Sequence, residues 1–307
     1  LCLCLTLLPG TAWAAESAAT TTADFTSADN ATTAITLLNQ HKTDGAADSA
    51  WDNSTNTLTL NGIDFTTTAT TAVKLPAGST IVLADGTENT IKGGDANAAV
   101  AGTYHKDIYI YGIYADGALT IQGTGSLTVN SGSHTNSGDA STYSAAIYGK
   151  GSLTVEGGTV TATGGAAVSS GMAFSIGLYL PDGGHLSVTG GSLTAIAGEA
   201  YKLEESGKKW AEFSRGVDIW RSNVIVSGDG KLYAESVKEM ADATVLSNGL
   251  NISGGDLSIS DNGEVSVSGS YGAYISDGGI QLNGGKLTAA STQNPDAYGN
   301  LGCALDV

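Results

Sequence analysis

The stretch Gly112–Gly132 reads GIYADGALTIQGTGSLTVNSG, and its pattern decides the fold. It contains the alternations Leu119-Thr120-Ile121 and Leu127-Thr128-Val129, in which apolar residues flank a polar one. Turn residues separate such segments at Asp116-Gly117 and at Gly123-Thr124-Gly125. Alternation with a period of two residues, interrupted by glycine turns, is typical of short strands that bury one face. The stretch therefore predicts three short strands.

The same pattern recurs along the chain. AAIYGKGSLTVEGGTVTATGG begins at Ala145, IGLYLPDGGHLSVTGGSLTAIAG at Ile176 and YGAYISDGGIQLNGGKLTAAS at Tyr271. The central glycine turns of the repeats begin at Gly123, Gly157, Gly190, Gly228, Gly254 and Gly284. Because the distance between these turns varies, insertions are expected in one loop of each repeat. Those loops are His134–Ser144, Ala166–Ser175, Glu199–Ser214, Val237–Thr244 and Thr292–Leu301.

Short strands in groups of about three favour a parallel β-helix over a β-propeller, whose blades need four antiparallel strands. We predict an all-β fold, a right-handed parallel β-helix over residues 51–307, since parallel crossovers are right-handed by default. Two inward columns of apolar residues are expected. The first is Ile113, Ile147, Leu178, Val217, Leu246 or Val245, and Ala273; the second is Leu119, Leu153, Leu186, Val224, Leu250 and Ile280.

The first fifty residues are expected to lie outside the repeats. Residues 1–14 are typical of the end of a signal peptide, because a short apolar run closes on the small-residue site Ala12-Trp13-Ala14. Residues 15–50 are predicted to form a leader and an N-terminal cap. The cap contains a short helix, Ala31–His41, that Asp29-Asn30 can N-cap.

The composition predicts a secreted or cell-surface protein without disulfides. Removal of the signal peptide would leave Cys303 alone, which we interpret as a small core residue. The net charge is −17, from 13 basic and 30 acidic residues. Nucleic acids and anionic membrane surfaces would repel such a chain, whereas cations, neutral sugars and basic partners remain suitable. The last residues match the start of another repeat, so we expect the protein to continue past Val307.

Aromatic residues recur at one outward position of the repeats. Tyr114, Tyr148, Tyr179 and Tyr274 align there, and Asp218 takes the position in the fourth repeat. A tyrosine suits sugar binding, since a pyranose packs its apolar face on a ring and offers hydroxyls to polar neighbours. The alternative is a ladder of rings that only stabilises the sheet by cross-strand stacking. The sequence leaves both readings open.

The fourth repeat departs most from the pattern. It reads RGVDIWR from Arg215 to Arg221, and it follows a charged insertion that ends at Trp210. These residues could form a ligand groove in which an arginine binds the carboxylate of an acidic sugar. The alternative is a salt-bridge cluster that anchors a long loop. The candidate ligand-binding residues are therefore Tyr114, Tyr148, Tyr179, Trp210, Arg215, Asp218, Trp220 and Arg221.

Residues suited to catalysis are sparse. The carboxylates are mostly single residues of Asp-Gly or Gly-Asp turns, the sequence has no Asp-Asp pair, and the four histidines are scattered. Lyases and hydrolases of β-helical shape need clustered carboxylates. The nonapeptide repeat of calcium-binding β-rolls is also missing. Binding of Ca²⁺ would therefore depend only on carboxylates stacked at the turns. We predict no catalytic residue and no metal ligand set.

The phrases NTLTLNGIDF, KLPAGSTIVLADGTENTI and GIYADGALTIQGTGSLTV carry a family resemblance. From about Trp51 onward the chain resembles the β-helical, carbohydrate-binding-type domains of secreted and surface proteins of Gram-positive bacteria, which are related in shape to pectate lyases. Some of these domains bind acidic plant polysaccharides with calcium, and those tend to carry paired acidic residues at the head of the coil. Here the phrase GIYADG carries one acidic residue, and the phrase AIYGKG carries none.

The resemblance implies a non-catalytic module that binds a polysaccharide or another glycan on one face, with Ca²⁺ as the cofactor it would suggest. Two other functions stay open at this point. The first is a polysaccharide lyase or hydrolase, which would need a carboxylate cluster beside a basic residue in one groove. The second is a structural stalk or adhesin-like spacer that displays other domains.

Overall fold

The computed structural model of the protein describes residues 21–95, 107–136, 140–204, 207, 209–237, 247–291 and 304–306. The predicted signal peptide and Cys303 lie outside these residues. The described residues form one helix, α1 (Ala28–Gln40). The strands are β1 Ala23–Asp24, β2 Ala50–Asp52, β3 Thr57–Leu60, β4 Asp64–Thr66, β5 Thr71–Leu75, β6 Ser79–Leu83, β7 Glu88–Lys92, β8 Ile108–Ala115, β9 Leu119–Gly123, β10 Ser126–Asn130, β11 His134–Asn136, β12 Thr142–Gly149, β13 Leu153–Val155, β14 Thr159–Thr163, β15 Ala167–Ser169, β16 Ala173–Leu180, β17 Leu186–Val188, β18 Ser192–Ile196, β19 Ala200–Leu203, β20 Lys209–Ala211, β21 Phe213–Trp220, β22 Val224–Val226, β23 Lys231–Glu235, β24 Asn248–Ser253, β25 Leu257–Gly269, β26 Tyr271–Ser276, β27 Ile280–Ser291 and β28 Leu305–Asp306.

The strands form three sheets, and equivalent strands of successive repeats lie side by side. A nine-stranded sheet has the order β1-β5-β8-β12-β16-β21-β24-β26-β28. A 15-stranded sheet runs from β2 and β3 through β6, β9, β13, β17 and β22 to β25, then back through β23, β18, β14, β10 and β7 to β4. Its fifteenth strand, β27, pairs with β25. Pairing is parallel except between β2 and β3 and between β19 and β20. The predicted all-β class is confirmed, whereas the winding and hand of a β-helix stay predictions.

The core lies between the inward faces of the two large sheets. The first predicted column is confirmed by the register, in which Ile113 pairs with Ile147, Ile147 with Leu178, and Leu178 with Val217. These side chains are at most 1% exposed. The stack therefore buries apolar surface repeat by repeat.

The fifth repeat was assigned wrongly from the sequence. Leu250 follows Val217 in the first column, where Leu246 or Val245 was predicted, and Leu257 takes the place in the second column that was given to Leu250. The reason is that β25 continues, with a bulge between Asp261 and Glu264, through the position where the other repeats have their central glycine turn. Gly254 instead lies at the preceding corner, between β24 and β25.

The helix α1 begins three residues earlier than predicted. Its N-cap is Ser27, whose side chain accepts a hydrogen bond from the Asn30 backbone, in place of the predicted Asp29-Asn30 cap. Ala31, Ala34 and Leu38 are buried in the same core as the strands. The β1 strand before the helix pairs with β5, so the sheet also takes in part of the segment predicted as a leader. No helix in the described residues is long and apolar enough to cross a membrane.

A column of side-chain acceptors, here called the corner ladder, links successive repeats at one corner. The Ser152 hydroxyl accepts from the His185 backbone N–H at 3.1 Å, and His185 Nδ1 accepts from the Asn223 N–H at 3.4 Å. Asn223 Oδ1 then accepts from Asp256 at 2.9 Å, and Asp256 Oδ1 from Gly279 at 2.8 Å. Backbone donors at the corner are thereby satisfied where the strands end.

Three of the predicted insertion loops build a small sheet of their own. It has the order β11-β15-β19-β20, in which β11, β15 and β19 pair in parallel and β20 returns antiparallel to β19. The sequence indicated only loops here, because these strands have three or four residues and no clear alternation. The small sheet packs beside β12, β16 and β21 of the nine-stranded sheet.

Candidate functional site

The nine-stranded sheet carries the predicted aromatic column on its outward side. Tyr114 pairs with Tyr148, Tyr148 with Tyr179, and Tyr179 with Asp218. Asn251 and then Tyr274 continue the column. The predicted alignment of the repeats is therefore confirmed, and Asn251 is the fifth-repeat member that the sequence did not supply.

A second aromatic column, which was not predicted from the sequence, lies five residues earlier on the same strands. It consists of Tyr109, Tyr143, Phe174 and Phe213, which pair in register. The signal was present as an aromatic residue near the start of each eight-residue strand. Tyr111 lies between the two columns, and we call these outward rings together the aromatic face: Tyr109, Tyr111, Tyr114, Tyr143, Tyr148, Phe174, Tyr179 and Phe213.

The rings of the aromatic face pack mainly on one another. Tyr143 and Phe174 are stacked with centroids 4.4 Å apart, and Phe174 and Phe213 with centroids 4.6 Å apart. Tyr114 and Tyr148 are stacked at 5.3 Å with an interplanar angle of 8°. Stacked neighbours cover each other's faces, so these rings present mostly edges and hydroxyls to solvent. Their direct contact with a ligand stays a prediction.

Burial among the rings changes the ionisation of the tyrosines. Desolvation raises the pKa of Tyr148 to about 12, with a further contribution from the charge of Asp182. It also raises the pKa of Tyr143 to about 12. The phenols are thus neutral donors and acceptors over the physiological range.

One end of the aromatic face is closed by charged side chains. Lys150 Nζ lies 2.7 Å from Asp116 Oδ1, and the Tyr114 hydroxyl donates to the same oxygen at 3.1 Å. These two hydrogen bonds, that from Lys150 first, lower the pKa of Asp116. Lys74 and Lys150 also lie over the Tyr114 ring, 5.9 and 5.5 Å from its centroid. Asp116 acts there as a hydrogen-bond acceptor for its neighbours.

The other end of the aromatic face is a buried polar network around Asp218. Arg215 Nη1 donates to Asp218 Oδ2 at 2.7 Å, and both side chains are almost fully buried. Asp218 Oδ1 accepts from Asn251 Nδ2 at 2.8 Å and from Trp220 Nε1 at 3.1 Å. Asn248 Nδ2 in turn donates to Asn251 Oδ1 at 3.2 Å. We call these five residues the Asp218 cluster.

Chemistry fixes the amide orientations in the Asp218 cluster. The carboxylate can only accept, so the amide nitrogen of Asn251 faces it and the amide oxygen of Asn251 faces Asn248. Asn248 must therefore donate to Asn251, which leaves Asn248 Oδ1 without a partner. Arg215 Nε is also buried without a hydrogen-bond partner. Arg215 and Asn248 are paired in register on the neighbouring strands β21 and β24.

Trp220 is the part of the Asp218 cluster that reaches solvent. Its side chain is 44% exposed, which is similar to Tyr109 at 45%. Tyr109 stacks on Tyr143 at 5.0 Å, whereas Trp220 stacks on no ring among the described residues. The hydrogen bond from Nε1 to Asp218 fixes the indole at its inner edge.

The other two predicted residues lie apart from this network. Trp210 lies on β20 of the small sheet, and its Nε1 donates to Glu204 at 2.6 Å. Arg221 lies at the corner after β21, exposed, in a left-handed conformation with a φ of 53°. The structure therefore brings Arg215, Asp218 and Trp220 together, as predicted, and does not place Trp210 and Arg221 in their hydrogen-bond network.

Metal-binding geometry is not found in the described part of the chain. No group of three or more His, Cys, Asp or Glu side chains there is arranged to hold a metal ion. The carboxylate of Asp218 is occupied by Arg215, Asn251 and Trp220.

Comparison with known proteins gives one match. A family model described as "Carbohydrate-binding domain-containing protein" matches residues 40–297, which is most of the chain. No curated protein and no solved structure matches.

Proposed function

We propose, since the chain belongs to the carbohydrate-binding domain-containing family, that it binds a glycan along the aromatic face and the Asp218 cluster. The family membership supports carbohydrate binding, and the outward rings of the nine-stranded sheet support the proposed location. The observation that carries the assignment is a run of outward rings on four successive strands, from β8 to β21, which ends at the exposed Trp220.

The chemistry of this surface fits a sugar chain. Ring edges, phenol hydroxyls and one exposed indole alternate over neighbouring strands, which lie about 4.8 Å apart. A glycan needs apolar area for its ring faces and polar atoms for its hydroxyls, and the face offers both. Strands in register repeat these features at a fixed spacing, which suits a polymer better than a single small molecule.

The role that we propose is non-catalytic. The family membership suggests a binding module. Asp218, the carboxylate nearest to the exposed indole, already accepts three hydrogen bonds. We also propose that the module acts outside the cell, from the apolar run that ends in Ala12-Trp13-Ala14, and that its parallel strands wind as a right-handed β-helix.

Binding to insoluble polysaccharides tests the proposal. We expect the purified protein to sediment with at least one glycan from a panel of plant, fungal and bacterial cell-wall polysaccharides. A Tyr109→Ala/Trp220→Ala double variant should lose most of this binding. Tyr233→Ala is the matched control, because Tyr233 lies on the outward side of the 15-stranded sheet. Failure to bind any glycan would overturn the proposal, and release of unsaturated or reducing products would indicate an enzyme.

A further inference from the structure

We propose, building on the proposed function, that Trp220 held by Asp218 is the main sugar-stacking residue and that it takes an uncharged pyranose. The sequence offered the tyrosine column as one candidate stacking surface and an acidic sugar as one candidate ligand of an arginine, with a structural alternative left open for each. The contacts of the rings and of the charges favour a different assignment on both points.

The tyrosine column has few ring faces to offer. Tyr148 is stacked on Tyr114 and meets Tyr179 edge-on at 5.6 Å. In the neighbouring column Phe213 has Phe174 on one side, and the Arg215 guanidinium lies over its ring 4.9 Å from the centroid. A pyranose stacks on a ring through its apolar face, and a face that already carries another ring or a cation is not available for it.

Trp220 meets the requirements that the tyrosines do not. It is 44% exposed, has no stacked ring beside it in the described residues, and lies on the outward side of β21. Its hydrogen bond to Asp218 holds the indole in one orientation, so less side-chain freedom is lost when a ligand binds. Asp218 is in turn held by Arg215 and Asn251. Asp218 therefore acts as a positioning residue for Trp220.

The charges of the cluster disfavour an acidic sugar. Arg215 is 8% exposed and its charge is matched by Asp218 at 2.7 Å, so it is not free to bind a second carboxylate. An anionic ligand would also meet the field of a chain with a net charge of −17. An uncharged ring avoids both costs.

The test compares matched pairs of glycans on the whole protein. Polygalacturonate, alginate and glucuronan are each tested beside their carboxyl-reduced forms, which keep the linkage and exchange each carboxylate for a hydroxymethyl group. We expect the best-binding reduced form to bind at least about tenfold more tightly than its acidic parent. Trp220→Ala should weaken that binding by about tenfold or more, and Tyr233→Ala should leave it unchanged.

Two further variants separate the roles of the neighbouring residues. Asp218→Asn should weaken binding of the neutral glycan and shift the Trp220 indole N–H resonance, because the acceptor of that proton changes. Arg221→Gln removes the exposed positive charge that would hold an acidic sugar. We expect this variant to change the binding of the neutral glycan by less than twofold. Circular dichroism checks that each variant is folded.

Different results would contradict the role of Trp220 and glycan binding itself. Tighter binding of the acidic forms, or full binding by Trp220→Ala, would overturn the inference and leave glycan binding intact. An unchanged indole resonance in folded Asp218→Asn would overturn the positioning role. Failure of both members of every pair and of the wider panel to bind would overturn the proposed function itself.

Discussion

At the scale of single residues, Asp218 shows how a buried charge can be kept in a sheet. Its two oxygens accept three hydrogen bonds, and its neighbour Arg215 is the cation that offsets its charge. A buried ion pair gains little over an apolar pair of similar volume, but loss of one partner leaves an uncompensated charge. The ion pair therefore matters for stability mainly because loss of one partner would leave the other charge buried and uncompensated.

We expect Asp218→Leu to lower the free energy of unfolding by about 3 kcal/mol or more, because Arg215 would remain buried without a counter-ion. The double variant Arg215→Met/Asp218→Leu should recover most of that loss. Urea denaturation followed by circular dichroism measures both. Lys150→Met is the comparison, since its ion pair with Asp116 is exposed and its loss should cost less than about 1 kcal/mol. A double variant no more stable than Asp218→Leu would contradict this account.

The buried tyrosines predict a loss of stability in alkali. The pKa of Tyr148 is about 12 in the folded protein, against about 10 for an ordinary tyrosine. A raised folded pKa means that the phenol contributes stability below pH 10, and that this contribution disappears as the pH rises toward about 12. Ultraviolet titration should show late ionisation in the native protein that disappears in guanidinium chloride. Tyr148→Phe should reduce its amplitude, and an unchanged amplitude would show that Tyr148 titrates normally.

At the scale of single elements, α1 covers the start of the core. Ala31, Ala34 and Leu38 recur at helical spacing, so the sequence predicted the helix and its buried side. The sequence did not identify the cap, because Ser27 precedes a run of residues, Asp29 among them, that could equally have started the helix. Helix boundaries depend on such local competition, whereas the buried face depends on the period alone.

Adjacent leucines of α1 give a matched test of its packing. Leu38 is fully buried, and its neighbour Leu37 only partly so. We expect Leu38→Ala to lower the free energy of unfolding by about 3 kcal/mol and Leu37→Ala by about 1 kcal/mol or less. Chemical denaturation of both variants checks the difference. Equal losses would mean that the helix does not cover the core as described.

Among the strands, the fifth repeat marks the limit of prediction from sequence. The sequence indicated the first four outward positions, from Tyr114 to Asp218, because each follows an apolar residue and precedes a glycine or charged turn. It missed Asn251 and Asn248, since the glycine at Gly254 was taken for the central turn and the first strand was placed too early. Asn248 and Asn251 of the Asp218 cluster could therefore not be predicted from the sequence, although its other three residues were predicted.

At the scale of the whole molecule, the parallel pairing of equivalent strands follows from the internal repeat, and it was predictable for that reason. The stacking of side chains between repeats was not, because it depends on rotamers that the repeat does not specify. Within the described residues, the strand β27 is paired on one edge only, with β25. Leu282 takes the position of Ile259 one repeat later and is 53% exposed, while Ile259 is fully buried.

An exposed apolar strand edge favours association between molecules. We expect the 307-residue chain to self-associate as its concentration rises, and Leu282→Lys to reduce this self-association in sedimentation velocity. Ile225→Lys is the control, because Ile225 is 37% exposed but lies on β22, which is paired on both edges. An equal reduction of self-association by both variants would show that general surface charge, and not the β27 edge, determines it.

The corner ladder has a consequence for how the ancestry of such chains is traced. At this corner serine, histidine, asparagine and aspartate all do the same task, since each accepts the amide proton of the next repeat. A comparison that scores residue identity counts them as four unrelated states. Copies of one duplicated unit could therefore diverge until no shared residue remained at this corner, while every acceptor kept its role. The relatedness of such repeats is therefore better measured by the hydrogen-bonding role of each residue than by residue identity.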